Sequence, residues 1–135
     1  MMEKNRLNHR KDQFIKSLDT LENALMREND SDNIVRDSTI QRFEYTLEMG
    51  WKLLQCILKD ERVALPINSP KKVIKAAYES DLIKNGDSWI KALDDRNDMS
   101  HMYSCSDSEG VYERIKKDYA HIFKQLKKVV DEQYS

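Results

Sequence analysis

Apolar residues near the start of the chain fall at Leu7, Phe14, Leu18, Leu21 and Leu25, with spacings of 7, 4, 3 and 4. This is one face of an amphipathic helix, and it gives out at the polar run RENDSDN, 27–33. In DSTIQRFEYTLEMGWKLLQCILKDERV, Ile40, Phe43, Leu47, Trp51, Leu54 and Leu58 advance by 3, 4, 4, 3 and 4. The pattern predicts a second helix of about 25 residues, about 37 Å long, with Asp37 or Ser38 as N-cap unless it begins earlier. Gly50 in its middle costs helix stability and marks either a close helix contact or a bend. After Pro66, INSPKKVIKAAYESDLI reads as a shorter helix capped by Ser69, with Pro70 in its first turn and Asn85-Gly86 as its stop. A further helix from Asp87 or Ser88 carries Trp89, Ile90 and Leu93 into residues 96–103, until SCSDSEG at 104–110 interrupts it. Val111, Ile115, Tyr119, Ile122, Leu126 and Val129 then step by 4, 4, 3, 4 and 3 through a last helix. With four or five helices and no strand, the expected fold is an all-α up-and-down bundle, a single domain over 1–135 without repeats or linkers.

Composition supports that reading: 39% hydrophobic and 35% charged residues, with three glycines and two prolines. No run approaches the roughly 18 apolar residues of a membrane span, and MMEKNRLNHRK lacks the apolar stretch of a signal peptide. A cytoplasmic protein is expected, with Cys56 and Cys105, which share no metal or redox spacing, as reduced thiols. A net charge of −1 gives no overall field for nucleic acid. Locally, residues 113–128 carry Arg114, Lys116, Lys117, Lys124, Lys127 and Lys128 against Glu113 and Asp118. Such a face could meet phosphates, although charged helix faces are more often simply solvated.

The stretch least explained by packing is RNDMSHMY, 96–103. On an ideal helix Arg96 and Tyr103 lie within about 20° of each other, with Met99 and Ser100 in the same stripe, whereas His101 sits about 140° from Arg96 beside Asn97. One ideal helix therefore does not aim Arg96 and His101 at a single bond. Unwinding near Ser100, a bent arginine, or two chains meeting across a two-fold axis would. The chemistry of the pair is specific. Histidine titrates near neutrality and can take a proton from a hydroxyl or return one to a leaving oxygen. Arginine grips a phosphate and stabilises growing negative charge. RNA supplies a 2′-hydroxyl beside each phosphate, so its cleavage would need no metal or other cofactor.

Plainer readings stand beside this one. A lone histidine near a helix end is more often a cap or a surface residue; Asp94, Asp95 and Asp98 could pair with Arg96 as helix salt bridges; Tyr103 could be a core or rim aromatic. His101 with Cys105 lacks further metal ligands, and His9 and His121 have no partners to suggest chemistry. Glu44 and Glu48 share a helix face, with Gln41, Arg42 and Lys52 nearby, and read as solvated.

Residues 96–103 resemble the signature of HEPN domains, an arginine followed by a polar residue and then a histidine, with a tyrosine two further on in the HepT-like branch. IQRFEYTLEMGWKLL, 40–54, is similar to that branch's long second helix, and the resemblance extends over most of the chain. It implies a homodimer with a ribonuclease cleft at its interface. Arg96 would bind or polarise the phosphate, His101 would act as general base or acid, and Asn97 would orient one of them. It also implies a partner, a minimal nucleotidyltransferase antitoxin, that attaches AMP to Tyr103 and so silences a toxin acting on RNA. The alternative is a non-catalytic substrate-binding subunit of that nucleotidyltransferase.

Overall fold

The structure, a computed structural model, describes residues 2–27, 33–100 and 107–134. Its elements are α1 (Met2–Leu25), α2 (Asn33–Asp60), α3 (Pro70–Glu79), α4 (Gly86–Ser100), α5 (Ser108–Arg114), one π turn (Ile115–Tyr119) and α6 (Ala120–Gln133), the last three forming one continuous rod. Among the described residues there is no strand. The all-α bundle expected from the sequence is the fold that forms. No described helix is long and apolar enough to cross a membrane.

The predicted stripes are the buried ones. Phe14, Leu18 and Leu21 on α1 face Phe43, Leu47, Leu54 and Leu58 on α2, all inaccessible to solvent. One position of the α2 stripe is different from the expectation. Trp51 is only half-buried, and the inward position of that turn belongs to Gly50. A Cβ on Gly50 would come within 3.3 Å of the Phe14 ring and 3.3 Å of the Trp89 indole, so the glycine permits close contact and not a bend. Around it the rings of Phe14, Phe43, Trp89, Tyr119 and Phe123 join four helices and the π turn. Phe43 stacks on Tyr119 at 5.2 Å, and Trp89 meets Phe123 edge-on at 5.4 Å.

Helix ends follow local chemistry more than the glycine signals. α2 begins at Asn33, so Asp37 and Ser38 lie inside the helix and neither caps it. Ser69 does cap α3, its hydroxyl accepting from the Lys72 N–H at 3.3 Å, with Pro70 in the first turn. α3 stops well before Asn85, since Asp81 adopts φ 60° and Leu82 N–H reaches back to the Ala77 carbonyl at 2.9 Å. α2 ends in the same way at Arg62, φ 55°, with Val63 N–H bonded to the Leu58 carbonyl at 3.0 Å. These left-handed closures usually use glycine. Gly86 instead opens α4 against the Tyr78 ring.

Two outcomes are expected in chemical denaturation. Gly50→Leu should lower stability by about 2 kcal/mol or more through overpacking against Phe14 and Trp89. Arg62→Gly should raise it by about 0.5–1 kcal/mol by removing the left-handed strain at an exposed site.

Candidate functional site on the α2–α4 face

Arg96 and Asp95 are neighbours on α4 that point to different places. Asp95 is 7% exposed, and it is the centre of a buried network that reaches across to the C-terminal rod. Arg114 grips it with a two-pronged pair, Nε to Oδ2 at 2.7 Å and Nη2 to Oδ1 at 2.9 Å, while the Tyr119 hydroxyl donates to Oδ2. Arg114 Nη2 also bonds Asp107 at 3.0 Å, beside the N-terminus of α5. Positions five apart on an α-helix diverge by about 140°, but the i→i+5 bonding of the π turn brings Arg114 and Tyr119 back onto one carboxylate. Burial first, and then the adjacent Asp95 carboxylate, raise the Tyr119 hydroxyl far above the usual tyrosine range, so it stays a donor.

Arg96 is turned outward towards α2, its side chain 30% exposed. It finds a carboxylate on a different helix. Its Nη2 lies 3.3 Å from Glu48 Oε2, while Lys52 Nζ lies 3.2 Å from Glu48 Oε1, and the Trp51 indole N–H donates to Oε2 at 2.9 Å. Trp51, displaced from the core stripe, thus serves to fix the carboxylate that holds Arg96. Burial works against ionisation of Glu48, but the Trp51 and Lys52 hydrogen bonds with the Lys52 and Arg96 charges win, and its pKa falls below the ordinary 4.5. At Glu44, one turn earlier, burial prevails over the attraction of Arg96 and raises the pKa. The solvated reading of Glu44 and Glu48 is therefore corrected: both face Arg96. Nothing in the spacing along the chain links residue 48 to residue 96; the only local signal was the i+3 and i+4 placement of Trp51 and Lys52 after Glu48.

Of the other candidate residues, Asn97 and Asp98 are exposed and Met99 packs partly against the core. His101, Tyr103 and Cys105 lie outside the described residues. Arg114 is committed to Asp95 and Asp107, and Lys116 pairs with Glu113 at 3.2 Å and sits 4.8 Å from the Tyr112 ring centre. The basic excess of 113–128 is in part internal pairing.

Residues 9–132 match the family described as "Nucleotidyltransferase substrate binding protein like". The chain belongs to this family, the HepT-like branch of HEPN domains. The fold agrees: a chain from the crystal structure of the toxin-antitoxin MntA-HpeT, in a mutant form, superposes with a TM-score of 0.74 over 94% of this chain and 98% of that one, at 14% identity. No curated protein sequence matches the chain significantly. In this HepT-like chain, Arg96 is held at the surface by a glutamate from the long second helix.

Removing the carboxylate from beneath Arg114 and Tyr119 should be severe. Asp95→Ala is expected to cost about 3 kcal/mol, because it leaves the partly buried guanidinium with Asp107 alone and the buried Tyr119 hydroxyl without its acceptor, and Tyr119→Phe about 1 kcal/mol, the worth of one hydrogen bond. Urea titration of both variants checks the order. The Glu48 contribution carries the opposite pH sign to that of Glu44. A depressed folded pKa gives stability that is complete above the unfolded value of 4.5 and lost as the pH falls through the lowered one. The raised pKa of Glu44 makes its contribution grow as the pH falls. Glu48→Gln should accordingly shrink the loss of thermal stability on acidification from about pH 6 to about pH 3, and Glu44→Gln should enlarge it.

Proposed function

We propose that this chain is the toxin of a two-component system in the cytoplasm, a metal-independent endoribonuclease whose site is built from Arg96, Asn97 and His101 and silenced by AMP on Tyr103. The observation that carries this reading is Arg96 itself. It stands at the end of α4, turned to the surface, and its direction is set by Glu48, which Trp51 and Lys52 hold in turn. An arginine oriented in this way is prepared to accept a phosphate oxygen without first being ordered. The similar fold in a toxin-antitoxin complex supports the same class of role, and the family's description supports a nucleotidyltransferase as partner.

In this mechanism His101 accepts the 2′-hydroxyl proton as the oxygen attacks the neighbouring phosphorus, and Arg96 stabilises the charge on the phosphoryl oxygens. The protonated His101 returns that proton to the departing 5′-oxygen, and a 2′,3′-cyclic phosphate remains. Asn97, exposed one residue after Arg96, orients one of these groups. A second protomer brings His101 of one chain towards Arg96 of the other, which removes the conflict of a five-residue spacing on one helix. An anionic adenylyl group on Tyr103 adds bulk and negative charge near the arginine and opposes RNA there.

The purified protein is expected to cut single-stranded RNA in the presence of a metal chelator, and His101→Ala to lose at least about a hundredfold in rate. Incubation with the partner nucleotidyltransferase and ATP should add one adenylyl mass to the wild type and none to Tyr103→Phe, read by intact mass. A second reading is favoured by the family's description as a substrate binding protein. There the chain is a non-catalytic subunit, and Arg96→Ala weakens the complex with the nucleotidyltransferase while wild type and variant alike leave RNA intact.

A further inference from the structure

Beside the Arg96 face, four cations from two helices gather where α1 and α2 run side by side. A cleft of about 160 Å³ is lined there by Arg6 and Arg10 from α1 and by Lys52, Gln55, Cys56, Lys59 and the one acid, Asp60, from α2. Arg6 and Arg10 are four apart and share one face of their helix, and Lys52 and Lys59 are seven apart and share one face of theirs. Four cations therefore converge on one groove in a protein whose net charge is −1. Among the described residues, Arg6, Arg10 and Lys59 form no ion pair; Arg10 donates only to Gln13 Oε1, at 3.3 Å. Such mutual repulsion is relieved when an anion enters.

Lys52 connects this groove to Arg96. It lines the cleft and also lies 3.2 Å from Glu48, whose other oxygen is 3.3 Å from Arg96. From Lys52 to Lys59 the helix rises about 10 Å, a span that can meet successive backbone phosphates. The volume is below the roughly 300–1,000 Å³ of small-molecule pockets, so the groove suits phosphate groups and not a whole nucleotide. Its concave, two-walled form also suits a single strand better than the flat face of a folded acidic protein.

We propose that the α1–α2 cleft binds the phosphodiester backbone of single-stranded RNA, as a track of Arg6, Arg10, Lys52 and Lys59 that leads towards Arg96. The proposal rests on the ribonuclease reading above and extends the substrate to several nucleotides on one side of the cut. Lys52 is shared by the track and the site. Binding is electrostatic and without base selection, since among the described residues no aromatic ring lines the groove. Cys56 forms part of its lining, half-buried between the two rows of cations. Burial raises the thiol's pKa, while Arg10 and Arg6 pull the other way, as expected for a sulfur that they face.

The experiment uses full-length protein and 2′-O-methyl RNA, which cannot be cut, so that binding is read apart from cleavage. Fluorescence anisotropy over a range of salt compares the wild type with a cleft variant (Arg6→Gln, Arg10→Gln, Lys59→Gln) and a charge-matched control (Lys75→Gln, Lys91→Gln, Lys124→Gln). All six positions are on the surface, and thermal unfolding verifies folding. The cleft variant should bind a strand of about ten nucleotides at least tenfold more weakly at low salt. The slope of log affinity against log salt should fall by about 2, near 0.7 for each of three lost phosphate contacts. The control should match the wild type, and bound RNA should slow alkylation of Cys56, followed by peptide mass mapping. If the wild type cuts RNA while cleft variant and control bind alike, the track is wrong and the ribonuclease reading stands. Loss of the complex with the nucleotidyltransferase at unchanged RNA affinity overturns the track in favour of a protein-docking surface. A wild type that neither binds nor cuts RNA overturns both.

Discussion

A carboxylate withdrawn from water must be met by charge and by hydrogen-bond donors, and at Asp95 this requirement organises half of the bundle. The two-pronged pair with Arg114 and the Tyr119 hydroxyl bind α4 to the C-terminal rod at one point. Tyr119 also stacks on Phe43, so the polar anchor is continuous with the ring cluster in the core. Arg96 follows Asp95 directly, so the residue that anchors α4 to the rod adjoins the one that faces α2. Arg96 thus lies between two fixed points, its buried neighbour Asp95 and Glu48 on α2.

The second helix performs two tasks on opposite faces. Its inner stripe, with Gly50 at the tightest point, lets Phe14 and Trp89 approach the backbone. Its outer face carries Glu44, Glu48 and Lys52, which set the charge around Arg96, and Lys52 and Lys59, which wall the basic cleft. Trp51 lies between the two, half-buried, with its indole directed to Glu48. A single rigid rod therefore relates the core, the signature arginine and the cleft, and their relative positions change little unless α2 itself bends.

Periodicity made the architecture legible because each helix buries one stripe, and the stripes of α1, α2 and the C-terminal rod were visible as spacings of three and four. It misplaced Trp51, since a glycine carries no apolar signal and the large neighbouring side chain took its position in the pattern. It left the start of α2 open, and the helix begins before its cap candidates Asp37 and Ser38; it misjudged the end of α3, which is closed by Asp81 in a left-handed conformation where Asn85-Gly86 was the stronger signal. Within the site, the RNDMSHMY pattern singled out Arg96 and Asn97, but neither Glu48 nor the role of Asp95 was accessible. Both depend on contacts between residues far apart in the chain, Arg96 with Glu48 and Asp95 with Arg114 and Tyr119. The basic cleft was hidden for the same reason. Its cations are distributed over two helices, whereas the conspicuous cluster at 113–128 contains an arginine already committed to a buried acid.

The π turn at Ile115–Tyr119 sets the phase of everything that follows it. One extra residue in that turn shifts α6 by about 100° relative to an unbroken helix, and beyond it Phe123 and Val130 join Ile122 and Leu126 in the core. Val130, not Val129, completes the inward row as a result. Shortening the turn by one residue would restore ordinary helix geometry and at the same time carry either Tyr119 away from Asp95 or the whole of α6 away from its seat. The last helix therefore keeps its register by reference to a single acidic side chain on α4, and a change of length between Arg114 and Val130 would break that reference.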